Sequence, residues 1–440
     1  MFINTNRANQ ILKFKLTIMK IINNKLRAFY LVIVSGSLLL TACNKDLETF
    51  APIAKPAYPS GLGVAATIAA NPNYSFYSAL ITRAGMAATL NDSTRTFTLF
   101  ATDNNGMKVF VNAASSGAVP LNAPDATFLG FISTSLPAAS AAGIIQYNTI
   151  GQKVAFGSVG TAFPNFPLTS QIILDPTQQF VRMPIFPVRG TPYSYVNNIP
   201  VIATDMTASN GVIHTTFTIV SPLPASPLVT LKSLIAADGK LSYFKAAIAR
   251  GDSGQVGISG VGAYGLSFDS LMNYPVTNMT VLAPDSNACK TLIFGSVYAA
   301  LLAQGVPAAT AAAQATAISS TPAGFNALPV ATVRGVVAYH ILASANTGSF
   351  KPDIRAFSVN FSPTGNFATT LVNGSIAVHP GIRGQATFAG PSVTALKFTG
   401  YGTFPPGGAP YSGTAANATS WDRMALNGVL HVIDAVLLPQ

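Results

Sequence analysis

Asn427–Pro439 reads NGVLHVIDAVLLP, and Asn210–Pro222, 217 positions earlier, reads NGVIHTTFTIVSP. Asn, Gly, Val, His and Pro recur at one spacing. Each copy reads as a turn feeding a strand: Asn-Gly supplies the positive φ of a tight turn, and the β-branched run after it favours extended backbone. Alternation sets Val429, His431 and Ile433 on one face and Leu430, Val432 and Asp434 on the other. A strand this apolar on both faces belongs in the interior of a sheet. The proline that closes each copy predicts where the strand ends.

Two further stretches repeat in the same order. Phe97–Met107 (FTLFATDNNGM) pairs with Met279–Cys289 (MTVLAPDSNAC) at an offset of 182, and Leu136–Ile150 (LPAASAAGIIQYNTI) pairs with Leu328–Leu342 (LPVATVRGVVAYHIL) at 192. The offset grows along the chain from 182 to 217, the mark of a tandem duplication with insertions in the second copy. Helical spacing within Tyr74–Leu90, and within Lys232–Ala237 followed by Leu241–Arg250, opens each copy. A buried strand comes next, then a turn at which Asp103 and Asp285 are placed to cap a helix by accepting a backbone N–H. The later part of each copy is rich in Pro, Gly, Thr and aromatic residues and predicts strands and hairpins. The fold expected is α+β, in two similar domains, each with helices and a compact β-sandwich or wedge. Ser221–Pro227 (SPLPASP) reads as the linker between them, and each domain is expected to fold alone.

These boxes resemble those of the fasciclin adhesion domain: a strand entering an Asp turn, a Tyr-His pair, and a final Asn-Gly-Val-(Ile/Leu)-His strand ending in Pro. The resemblance spans residues 62–224 and 228–440, with 225–227 between them. It maps the family's motif onto Asp103, Tyr147, Asn210, Gly211 and His214 in the first copy, and onto Asp285, Tyr339, His340, Asn427, Gly428 and His431 in the second. The first copy diverges more: Asn148 stands where the second has His340, and Phe217 where it has Asp434. The resemblance implies an adhesion or binding role for the pair.

The N-terminal residues 1–42 carry six basic and no acidic side chains, followed by the apolar run Phe29–Leu40 and the sequence Leu40-Thr41-Ala42-Cys43. A basic stretch, a short apolar stretch and small residues before a cleavage point describe an export signal, too short to span a membrane comfortably. Leu-Thr-Ala-Cys also resembles a bacterial lipobox, which implies lipidation of Cys43. Residues 43–61 then form a proline-rich tether on the outer membrane or cell surface. Without the signal, the formal charge of +11 falls to +5, with no Lys/Arg cluster, so no nucleic-acid partner is expected. Cys289 is the one other cysteine, which rules out a disulfide within the mature chain once Cys43 is lipidated.

Catalytic chemistry finds little footing. The chain has four histidines, one Glu and thirteen Asp, with no His-x-His, His-Glu-x-x-His or Cys-x-x-Cys spacing. No metal, no cofactor and no enzyme activity are expected, and His214 and His431 read as structural parts repeated with the fold. The segment before the closing strand is longer in the second copy, from Leu342 to Asn427, than in the first, from Ile150 to Asn210. It is aromatic and poor in charge, and Arg383, Tyr401, Tyr411 and Trp421 are its candidate ligand contacts, since Tyr, Trp and Arg tolerate partial exposure and dominate binding surfaces. The alternative is that these aromatics pack the enlarged domain. Two roles remain open: adhesion to matrix, glycan or protein ligands, and an accessory or scaffolding lipoprotein of an envelope or polysaccharide-uptake complex.

Overall fold

A computed structural model describes residues 13–29, 60–161, 163, 167–174, 177, 181–221, 229–254, 267–346, 349–351, 354–374, 381–402 and 415–438. The chain divides into two units, Met1–Tyr58 and Pro59–Gln440. In the first, residues 13–29 form a helix with Phe14, Met19 and Phe29 more than half exposed. No described helix is long and apolar enough to cross a membrane by itself. Cys43, residues 30–40 of the apolar run and residues 222–228 of the linker lie outside the described residues.

In the second unit, each set of three repeated stretches becomes three neighbouring strands. In the first half, β1 (Phe97–Thr102) pairs antiparallel with β2 (Thr149–Ile150) and parallel with β8 (Gly211–Thr216). The remaining strands are β3 (Leu168–Ile173), β4 (Arg182–Ile185), β5 (Pro187–Val188), β6 (Ser194–Val196) and β7 (Ile199–Ala208), in the order β4-β3-β2-β1-β8-β7-β6-β5. In the second half, β9 (Met279–Pro284) lies between β10 (Ile341–Leu342) and β17 (Gly428–Ile433) in the same senses. There β13 (Asn366–Ala368), β14 (Ile382–Ala389), β15 (Ser392–Gly400) and β16 (Ala416–Ala425) complete the order β10-β9-β17-β16-β15-β14-β13. The strands β11 (Ser344–Asn346) and β12 (Ser349–Lys351) pair as a separate hairpin. The architecture is α+β, twice over.

The closing strand is buried on both faces, as its sequence requires. Leu430 and Val432 join the helical core with Leu231, Phe244, Ile293 and Val337. Ile433, on the opposite face, joins Leu342, Leu396 and Phe398. Burying side chains of this size contributes about 1.5–3 kcal/mol each, which explains why the strand occupies the centre of the sheet. Helices cover one face: Ser75–Arg83 and Asn104–Ala114 in the first half, Ser242–Gly251 and Ser286–Ala303 in the second. The helical spacing in Tyr74–Leu90 is broken at Gly85, whose φ of +66° ends one helix before Ala87–Leu90 begins.

Two local expectations are corrected. The two-residue hairpin loops are Ser209-Asn210 and Leu426-Asn427, with Gly211 and Gly428 already paired as the first residues of the strands, and none of Asn210, Gly211, Asn427 or Gly428 is among the residues of positive φ. Glycine is required there by close approach. A Cβ on Gly211 would lie 2.3 Å from the Phe97 carbonyl oxygen, and one on Gly428 2.2 Å from that of Met279. The closing strands also stop well short of their prolines, at Thr216 and Ile433. Their parallel partners end at Thr102 and Pro284, where the chain turns into a helix, so the ladder runs out first.

Each half has its own helical core, yet the halves also share apolar contacts. Leu426 of the second half sits among Phe100, Tyr147 and Met183 of the first. Phe186 packs edge-on against Phe357 at 6.3 Å, with Val429 beside them. Arg355, only 1% exposed, lies 5.2 Å from the Phe186 ring centre and donates to the Leu426 carbonyl at 2.8 Å. Its Nε and Nη1 have no partner among the described residues. Burial pushes its pKa down to about 10.

Candidate functional site

The motif residues are clamps, and most of them hold backbone. Asn427 accepts from the Leu231 N–H at 2.9 Å and donates to the carbonyls of Met272 (2.8 Å) and Tyr274 (3.1 Å). Asn210 repeats this with Val64 N–H, Leu90 O and Asp92 O. One amide thus ties the first helix and the approach to the central strand to the closing hairpin. Asp103 and Asp285 cap their helices, accepting from Gly106 N–H at 2.9 Å and Ala288 N–H at 2.8 Å. Tyr147 donates to the Pro184 carbonyl at 3.1 Å and Tyr339 to that of Gly381 at 2.6 Å.

The histidines are satisfied in the core. His214 Nδ1 accepts from the Asp205 N–H at 3.1 Å, which leaves the Nε2 proton facing the Val154 carbonyl at 3.0 Å. His431 makes the same pair with Asp422 N–H and Ala356 O. Asp205 and Asp422 stand at φ of +62° and +57° inside register shifts of β7 and β16. Each histidine therefore braces a bulge in the strand beside it. These two aspartates escape the motif reading, although the offset of 217 extends to them and was legible.

At the Tyr-His box, His340 donates from Nδ1 to Val336 O at 2.7 Å and accepts from Leu437 N–H at Nε2 at 3.0 Å. Asn148 makes the same bridge in the first half, from Ile144 O to Val220 O, by donating to both. Burial pushes the pKa of His340 down to about 4 and lowers those of His214 and His431. Burial likewise pushes the Cys289 thiol up to about 12, and Cys289 sits in the helical core. No group of three His, Cys, Asp or Glu side chains that could hold a metal ion occurs among the described residues.

Concavity lies elsewhere, in a cleft of about 460 Å³ between the halves. Phe163, Tyr193 and Tyr195 line it from the first half, and Phe361 and Phe388 from the second. Phe163 and Phe361 meet at 5.4 Å across it, and Tyr195 donates to the Pro391 carbonyl at 2.9 Å. Phe361 is held from behind by Gly384, where a Cβ would come within 2.4 Å of its ring. Polar side chains are also among its lining residues. Asn360 carries a buried Nδ2 with no partner among the described residues, and Arg189 is exposed at the rim. Among the described residues, no carboxylate lines the cleft. Burial and the neighbouring Tyr193 raise the Tyr195 hydroxyl to about 12.

Of the candidate contacts read from sequence, none of the three described ones lines this cleft. Arg383 is half-buried on β14, its guanidinium bonded to the Thr364 carbonyl at 2.6 Å, next to the cleft residue Pro363. Tyr401 follows β15 and donates its backbone N–H to the Tyr339 hydroxyl at 2.8 Å. Trp421, on β16, packs half-buried against the β-side core. Tyr411 lies outside the described residues. The enlarged segment does contribute Phe361 and Phe388, but Phe357, Phe361 and Phe398 are fully buried. Tyr193 and Tyr195 were missed because their segment is the shorter, first-copy one; the signal available was the aromatic, charge-poor string PYSYV at Pro192–Val196.

The chain is similar to a FAS1 domain pair. That solved structure, from the insect cell adhesion molecule fasciclin I, aligns at 12% identity over 83% of this chain and 96% of the other, with a TM-score of 0.29. No protein-family model matches the chain, and no curated protein does.

Proposed function

We propose that this chain is a non-enzymatic binding protein of the cell envelope, tethered through lipid on Cys43 and adhering through the cleft between its two halves. The observation that carries this reading is the cleft itself: five aromatic side chains from both halves around about 460 Å³, with Arg189 and Asn360 beside them and, among the described residues, no acid/base pair. Concave, mostly apolar space with a few converging polar groups is the usual form of a ligand site. The motif histidines and aspartates, which would be the first suspects for chemistry, spend their hydrogen-bonding capacity on backbone. A rigid scaffold beneath the cleft suits adhesion, because little ordering entropy is lost on binding.

The test compares the full chain with its Tyr193→Ala and Phe388→Ala variants for adhesion of protein-coated beads to cells and matrix. Tyr193 is 40% exposed, so its truncation should leave melting nearly unchanged, whereas Phe388 is part-buried against the β-side core, so its adhesion is compared per folded molecule. Adhesion should drop at least tenfold. Adhesion that survives both substitutions would place the contact outside the cleft.

A further inference from the structure

We infer that the cleft takes an acidic glycan, a saccharide chain bearing carboxylate or sulfate groups; this rests on the reading of the cleft as the adhesive site. Three observations select this class. The first is charge. Among the described residues, Arg189 is the one side chain of fixed charge lining the cleft, and its guanidinium has no partner. With no carboxylate to neutralise it there, a single cation at the rim favours a ligand that brings an anion.

The second is the mixture of flat apolar faces and scattered polar atoms. A pyranose ring offers a flat face of C–H groups and a periphery of hydroxyls. Tyr193, 40% exposed, and the part-buried rings of Phe163 and Phe388 supply apolar faces. Asn360 lines the wall and its Nδ2 has no partner among the described residues, so a turn of its amide toward the cleft would give a ligand hydroxyl a donor and recover a hydrogen bond.

The third observation disfavours an extended peptide. The cleft lies beside the outermost strands of both sheets, β5 and β13, the place where a peptide would add a strand. Yet β5 is two residues long and begins with Pro187, which has no N–H to donate. Just beyond it, Arg189 N–H is already bonded to the Gly160 carbonyl at 3.0 Å. Ser362 N–H, near β13, is taken by the Asn366 side chain. Recognition must therefore run through side chains, and these match a saccharide.

The experiment titrates the purified full chain by calorimetry with a hexamer of galacturonate, with maltohexaose as the neutral counterpart and a poly-aspartate peptide as the acidic non-sugar. The uronate should bind at least tenfold more tightly than the neutral hexamer and than the peptide. Arg189→Gln should erase about tenfold of the uronate affinity, equivalent to about 1.4 kcal/mol, while Tyr193→Ala should weaken both sugars. Raising salt should weaken the uronate alone. Equal affinity for both hexamers overturns the acidic class, and tighter binding of the peptide overturns the glycan class. If no oligosaccharide binds while Tyr193→Ala still abolishes adhesion, the ligand class is wrong and the cleft stands. If adhesion is also untouched, the cleft reading fails as well.

Discussion

The sharpest test of the fold is an isosteric change at Asn427. Its amide serves one N–H and two carbonyls, all in a site 0% exposed. Asn427→Ala removes three hydrogen bonds at about 1 kcal/mol net each and leaves buried groups unsatisfied, so a loss of about 3–5 kcal/mol is expected. Asn427→Asp keeps the size and the acceptor for Leu231 N–H. It replaces the donating amide by an oxygen aimed at the Met272 and Tyr274 carbonyls, in a place where a carboxylate is also poorly solvated. The aspartate should therefore be worse than the alanine at neutral pH, although it is the closer match in shape. Its deficit should shrink on acidification, since a protonated carboxyl can donate once. The assay is urea unfolding of the full chain at pH 7 and pH 5, followed by far-ultraviolet circular dichroism. An aspartate variant as stable as the wild type, or more stable than the alanine at pH 7, would refute the clamp.

Acid should weaken the protein through His340. Its folded pKa, about 4, lies below the unfolded value of 6.5, so the unfolded chain takes up the proton first. Stability is then fully present above about pH 6.5 and falls, by about 3 kcal/mol for this group alone, as pH drops toward 4; His340→Asn should flatten that slope in urea titrations, and an unchanged slope would exclude His340 as its source. Arg355→Met should be neutral or stabilising, because the guanidinium is buried with two donors unpaired and burial of an incompletely satisfied charge costs more than apolar packing; a loss of more than about 3 kcal/mol on calorimetry would show that the arginine holds the halves together. Trp421→Ala should lower stability by about 1.5–3 kcal/mol, less than a fully buried ring would cost, and leave adhesion per folded molecule intact, which cell-binding assays can check. Cys43→Ser should abolish incorporation of labelled palmitate, and label on the variant would place the anchor elsewhere.

The periodicities of the chain were enough for the architecture of each half. The three repeated boxes identify the strands that must sit together, because a run such as Val429–Ile433 is apolar on both faces and can be satisfied only at the centre of a sheet. The caps at Asp103 and Asp285 were legible for the same reason: their chemistry is local, spanning three residues. What one local pattern could not reveal is which neighbour imposes a residue. Gly211 and Gly428 look like turn glycines and are in fact spaced by the parallel strand beside them, Phe97 and Met279, more than a hundred residues away in sequence. The cleft is further still from the sequence. Tyr193 and Phe388 belong to different copies, each is unremarked within its own segment, and only the burial of Phe186, Phe357 and Leu426 between the halves sets the two surfaces opposite each other. Pattern in a chain records the partners of regular elements; a surface made by two halves is decided by how their cores meet.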